Sequence, residues 1–106
     1  MFTINNEIWN VQYVAADHPV LMRAVTGQFT LGCCDDKLKT IFINDTLDGA
    51  LLKKVLCHEI THAAMFSYDV DLTYEQEELV ADLIATYGDE IIFITNKIFN
   101  KLREGV

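Results

Sequence analysis

Basic residues are scarce in this chain. Its 106 residues carry 8 Lys and Arg against 16 Asp and Glu, a formal charge of −8. Phosphate binding rests on clustered cations, so this balance argues against a nucleic-acid surface. One small basic cluster, Lys97, Lys101 and Arg103, stands at helical spacing near the C-terminus, where positive charge favours a helix end. Proline occurs once, at Pro19, and no low-complexity segment or internal repeat is present. With 51% hydrophobic residues, a packed core is expected rather than long disorder. Every apolar run falls far short of a membrane span. The opening MFTINNEIWN has no basic segment leading into a long apolar stretch, so no signal peptide is expected. The cysteines number three, Cys33, Cys34 and Cys57, an odd count that suits a reducing compartment better than a disulfide scaffold. These absences lead to the expectation of a cytoplasmic protein, without a membrane or nucleic-acid partner, folded as one domain over residues 1–106.

The first half reads as strands. Ile8 to Val14 is β-branched and aromatic with a rough alternation, and Asp17-His18-Pro19 breaks it. Pro19 to Val25 is ambiguous between loop and a short helical turn. Phe29 to Cys34 and Thr40 to Asn44 flank the polar Asp35-Asp36-Lys37 and read as a hairpin. The second half reads as helices. Asp45, Thr46 and Asp48 are N-cap candidates for a helix from about Leu47 to Tyr68. After a loop, Thr73 caps a second helix that extends to Arg103, with Gly88 marking a kink. Small antiparallel sheet first, helices second: the expected class is α+β.

Chemistry concentrates on the first helix, which reads HEITH over residues 58–62. His58 and His62, at i and i+4, project from one face with Cβ atoms about 5–6 Å apart, close enough to share an ion. Zn²⁺ favours imidazole nitrogen, and a catalytic site takes three protein ligands plus water. Glu59 is turned about 100° from His58, away from the ligand direction but within reach of a water on the metal. Lys53, Lys54 and Thr61 define the polar side of this helix, while the histidines share the sector of Leu51 and Val55, and Glu59 lies near Leu52. Unpaired polar groups in an apolar sector cost several kcal/mol, and a common metal ion accounts for all three.

The third ligand sets the subclass. HExxHxxGxxH is absent, since Met65 stands where glycine is needed and Tyr68 where a third histidine is needed. His18 lies upstream of the motif. Glu75, Glu77 and Glu78 on the second helix are the acidic candidates, and only Glu78 has an acid four residues on, Asp82. Such a neighbour can accept a hydrogen bond from the distal nitrogen of a ligating histidine. On that helix Val80, Ile84, Tyr87, Ile91 and Ile98 form an apolar stripe with Glu78, Asp82 and Asp89 opposite. Ala81 and Ala85 leave room for another helix beside Glu78 and Asp82.

HEITH followed by E-L-V-A-D resembles the glutamate zincins, in which HExxH is joined by ExxxD on a second helix. The plan is also similar to that of the small ImmA/IrrE-type metallopeptidases of phages and mobile elements, with the likeness covering about residues 39–92. The resemblance implies a minimal zincin-like domain with zinc held by His58, His62 and Glu78, a general base at Glu59 and a supporting role for Asp82. It also implies a peptide or protein substrate such as a repressor or antitoxin.

Other residues are weaker candidates. Tyr68, Tyr74 and Tyr87 can each polarise a carbonyl, and Tyr74, beside the loop between the helices, is the best placed for an oxyanion. Cys33 and Cys34 read first as strand residues and otherwise as soft ligands; Cys57 reads as core. The expected reaction is zinc-assisted amide hydrolysis, with an extended peptide pairing along Thr40–Asn44. The alternative is an acidic phage- or plasmid-type binding or regulatory protein with a structural or vestigial zinc, for which a fourth protein ligand such as Cys34 would be the mark.

Overall fold

The computed structural model describes residues 1–105. The chain forms β1 (Phe2–Ile4), β2 (Glu7–Val14), a short 3₁₀ turn (Pro19–Leu21), β3 (Gly32–Asp35), β4 (Thr40–Asn44), α1 (Gly49–Ser67) and α2 (Tyr74–Arg103). This is the expected α+β succession, a small sheet followed by two helices.

The sheet is mixed rather than antiparallel. Its strand order is β1-β2-β4-β3, and β4 lies parallel to β2, with Asn10 beside Thr40 and Val14 beside Asn44. Hairpins can be read locally, but a parallel pair needs a long crossover, here the stretch through the 3₁₀ turn and β3. That stretch returns β4 between β2 and β3. β3 and β4 form the expected antiparallel hairpin, Asp35 opposite Thr40. β3 starts at Gly32 rather than Phe29, which makes only an isolated bridge with Met22. The β1–β2 hairpin, not expected from the pattern, turns on Asn5 and Asn6, both left-handed (φ 50° and 64°). Asparagine tolerates that conformation, and paired left-handed residues match the twist of a two-residue hairpin.

The interior position of β4 explains its composition. TIFIN is buried on both faces, as near-continuous apolar strands are. Ile41 and Ile43 meet Trp9 and Ala63, with Leu52, Val55 and Leu56 of α1 around them. Phe42 points to the opposite face, against Val14 and Leu21. The buried Trp9 indole donates to Ser67 Oγ at 2.8 Å, tying β2 to the last residue of α1.

Thr73 begins α2 with a capping box: its hydroxyl accepts from the Gln76 amide, and Gln76 Oε1 accepts from the Thr73 amide. α2 then runs as one helix past Gly88. Its less exposed residues here are Glu77, Glu78, Val80, Ala81, Ala85 and Gly88, and only Ala81 is fully buried. The stripe of Ile84, Tyr87, Ile91 and Ile98 does not pack into the core; each of these side chains is exposed. Among the described residues, no helix is long and apolar enough to cross a membrane.

The Trp9–Ser67 bond yields a test of the fold that leaves the histidines alone. Ser67→Ala strands a buried indole N–H, which costs about 1–3 kcal/mol. Thermal unfolding should show Tm falling by roughly 4–8 °C per kcal/mol in a domain of this size. An unchanged Tm would mean the indole finds another acceptor.

Candidate metal centre

The α1–α2 hairpin is antiparallel, so a turn forward on α1 is matched by a turn back on α2. His58 therefore stands opposite Asp82, and His62 opposite Glu77 and Glu78. The distances follow that register. His58 Nδ1 lies 3.0 Å from Asp82 Oδ1, and His62 Nδ1 lies 2.6 Å from Glu77 Oε1. The other ring nitrogens converge: Nε2 of His62 is 3.1 Å from Nε2 of His58 and 2.7 Å from Glu78 Oε1. Nε2 of His58 is 3.5 Å from Glu78 Oε2.

Tautomers decide what this arrangement can do. A carboxylate oxygen beside each Nδ1 favours the proton there, donated outward, and so turns both Nε2 lone pairs inward. Three acceptors, two imidazole nitrogens and a carboxylate, then face one point with nothing to donate. A single proton between His62 and Glu78 leaves the His58 nitrogen opposed to its neighbour. A divalent cation satisfies all three. The spacing suits one, since tetrahedral bonds of 2.0–2.1 Å put ligand atoms about 3.3 Å apart. Histidines 58 and 62 with Glu78 thus form a group that could hold a metal ion, their ligand atoms all within 4.8 Å of one another.

Of the acidic candidates beside Glu78, Glu77 is partly buried with its side chain on His62. It does for His62 what Asp82 does for His58: each carboxylate orients a ring by its distal nitrogen. The signal lay in the register of the hairpin, since two histidines a turn apart need carboxylates a turn apart. Glu75 stays exposed in the first turn of α2, away from the cluster.

The cluster opens into a cleft of about 880 Å³ with α1 as floor, β3 and its preceding loop as one wall and the start of α2 as the other. Glu59 lines the same cleft but on the β3 side, 8% exposed. Gly32 makes that approach possible, because a Cβ there would stand 2.9 Å from Val55 Cγ1 and 3.2 Å from Glu59 Cγ. Burial pushes the Glu59 carboxyl above its ordinary value and the Glu78 charge adds to the rise, while His58, His62 and Arg23 draw it back. Arg23, which no spacing in the chain marks out, lines the cleft from the loop before β3. Tyr74 is at the rim, largely exposed.

No cysteine joins the metal-ligating group among the described residues. Cys34 packs toward Trp9 and Ile41, and Cys33 toward Val14 and Phe42, as residues of an edge strand do on its two faces. Burial pushes the Cys33 thiol up to about 11 and the Cys34 thiol higher still, with the Glu59 charge adding to both. Neither is a ready thiolate. Comparison of the chain with protein-family models, with curated proteins and with solved structures finds no match.

This geometry ranks the acidic side chains. The native protein should bind about one zinc per chain, and His58→Ala, His62→Ala and Glu78→Ala should lose most of it. Glu77→Ala and Asp82→Ala should each weaken affinity by about 10–100-fold. Glu75→Ala should stay within about 0.5 kcal/mol of native stability and bind zinc normally. A zinc-competition titration across the series reads all of these. Equal behaviour of Glu75→Ala and Glu77→Ala would remove the assignment of Glu77.

Proposed function

We propose that the protein is a zinc-dependent peptidase in which Glu59 acts as general base. One observation carries this reading: an HExxH histidine pair and Glu78 converge on one point in a cleft that Glu59 also lines. Three protein ligands suit a catalytic zinc, whereas structural zinc sites are closed by four. The binding-protein alternative called for a fourth ligand such as Cys34, which lines the same cleft but is not in the ligand group of His58, His62 and Glu78.

Zinc held there supplies a Lewis acid that lowers the pKa of water and polarises a carbonyl. The remaining chemistry falls to the chain. Glu59 takes the proton of the attacking water and passes it to the departing amine. Its burial beside the cluster places its carboxylate at the cleft rather than in bulk water. Asp82 and Glu77 keep the two imidazoles in the ligating tautomer. Tyr74 and Arg23, both at the cleft, are placed to meet developing negative charge on the substrate.

An extended peptide would pair along β3 rather than Thr40–Asn44. β4 is interior with β2 and β3 on either side, so its backbone groups are taken. β3 is the outer strand and forms a wall of the cleft, where strand addition is open to an incoming chain. A reducing compartment such as the cytoplasm is consistent with three free cysteines.

The discriminating variant is Glu59→Gln, which keeps shape but cannot accept a proton. Zinc-loaded native protein should cut members of a diverse peptide mixture read by mass spectrometry. Glu59→Gln should bind zinc normally and cut the same bonds about 10²–10⁴-fold more slowly. Equal rates in the two proteins, or no cleavage by either, would contradict the peptidase reading.

A further inference from the structure

The distal half of α2 is the largest feature the metal centre does not use. Every residue from Asp89 to Gly105 is exposed. Lys53, near the start of α1, already reaches Asp89, so the last ten or so residues of α2 overhang the body by about 15 Å. The molecule is correspondingly long, 56 × 30 × 27 Å, with a radius of gyration of 16.1 Å where a compact chain of this length has about 13 Å.

That overhang is apolar along one side. Ile84, Tyr87, Ile91, Ile94 and Ile98 follow a strict 3-4-3-4 spacing, the seam of a coiled coil, and each is at least 40% exposed. Leu102 widens the same side. Half-exposed large side chains present on the order of 80–100 Å² each, so this face offers roughly 500 Å² before the depression beside it is counted. Standard interfaces bury about 800 Å² per partner. Beside Ile84 the seam runs into an apolar depression of about 380 Å³ on the outer side of α1, lined by Leu56, Ile60 and Ala64.

We infer that this face binds a second copy of the chain, with the two α2 helices antiparallel. Charge selects the partner and its direction. Glu90 and Lys97 flank the seam on one side, one heptad apart. Antiparallel pairing sets Glu90 of each copy against Lys97 of the other, twice by symmetry; parallel pairing sets them against Thr95 and Leu102. Antiparallel packing also keeps the two bodies, each of formal charge −8, at opposite ends. The overhang of each copy then covers the seam and the α1 depression of the other, closing a two-fold dimer.

The test is the solution mass of the full chain by sedimentation, up to about 100 μM. The expected mass is twice 12.1 kDa. Ile94→Glu should weaken association about 100-fold while helix content and zinc binding are retained, since Ile94 lies outside the core. Glu90→Lys and Lys97→Glu should each weaken it by up to about fivefold, and the two together should restore it. A native monomer at the highest concentration would overturn the proposal, as would a dimer indifferent to Ile94→Glu. Failure of the paired reversal to restore association would overturn the antiparallel arrangement.

Discussion

Contacts between two histidines of α1 and three carboxylates of α2 bridge the two helices of this protein. α2 contributes a single fully buried residue, Ala81, to the contact with α1. An alanine removes little apolar surface from water, so hydrophobic burial does not account for the closed hairpin. What bridges the helices is polar: His58 to Asp82, His62 to Glu77, and both rings to Glu78. Ala81, Ala85 and Gly88 permit this by keeping side-chain bulk out of the way. A cation at the point of convergence would turn mutual repulsion into cross-linking and so couple metal binding to closure of α2.

The metal helix is fixed from the other side by the sheet. Ile41 and Ile43 of the interior strand, with Trp9, hold α1 by its apolar sector, and Gly32 lets β3 come down beside Glu59. Glu59 and the histidine pair thus sit on adjacent faces of one helix, each face addressed by a different element. In a cleft built this way, carboxylates of α2 orient the histidine rings and β3 presents an open edge beside Glu59.

Much of this was legible in the chain because the signals are local. HEITH sets its own spacing, Thr73 and Gln76 form a cap within one turn, and Glu78 with Asp82 repeats a helical interval. The place of Glu77 is not legible from spacing within α2, because it depends on two rings offering two distal nitrogens a turn apart on α1. The parallel pairing of β2 and β4 is hidden because it joins residues thirty positions apart across the 3₁₀ turn and β3. The apolar periodicity of α2 was real, but period reports that a face is apolar, not what covers it. Ile84, Tyr87 and Ile91 line a seam facing away from the chain's own core.

X-ray absorption at the zinc edge of the loaded protein addresses the central claim most directly, because it reports the donor atoms themselves. Two imidazoles and oxygen donors predict nitrogen and oxygen scatterers at about 2.0 Å, with the outer-shell pattern of two rings and no sulfur. A sulfur shell near 2.3 Å would show that a cysteine closes the site and contradict the account.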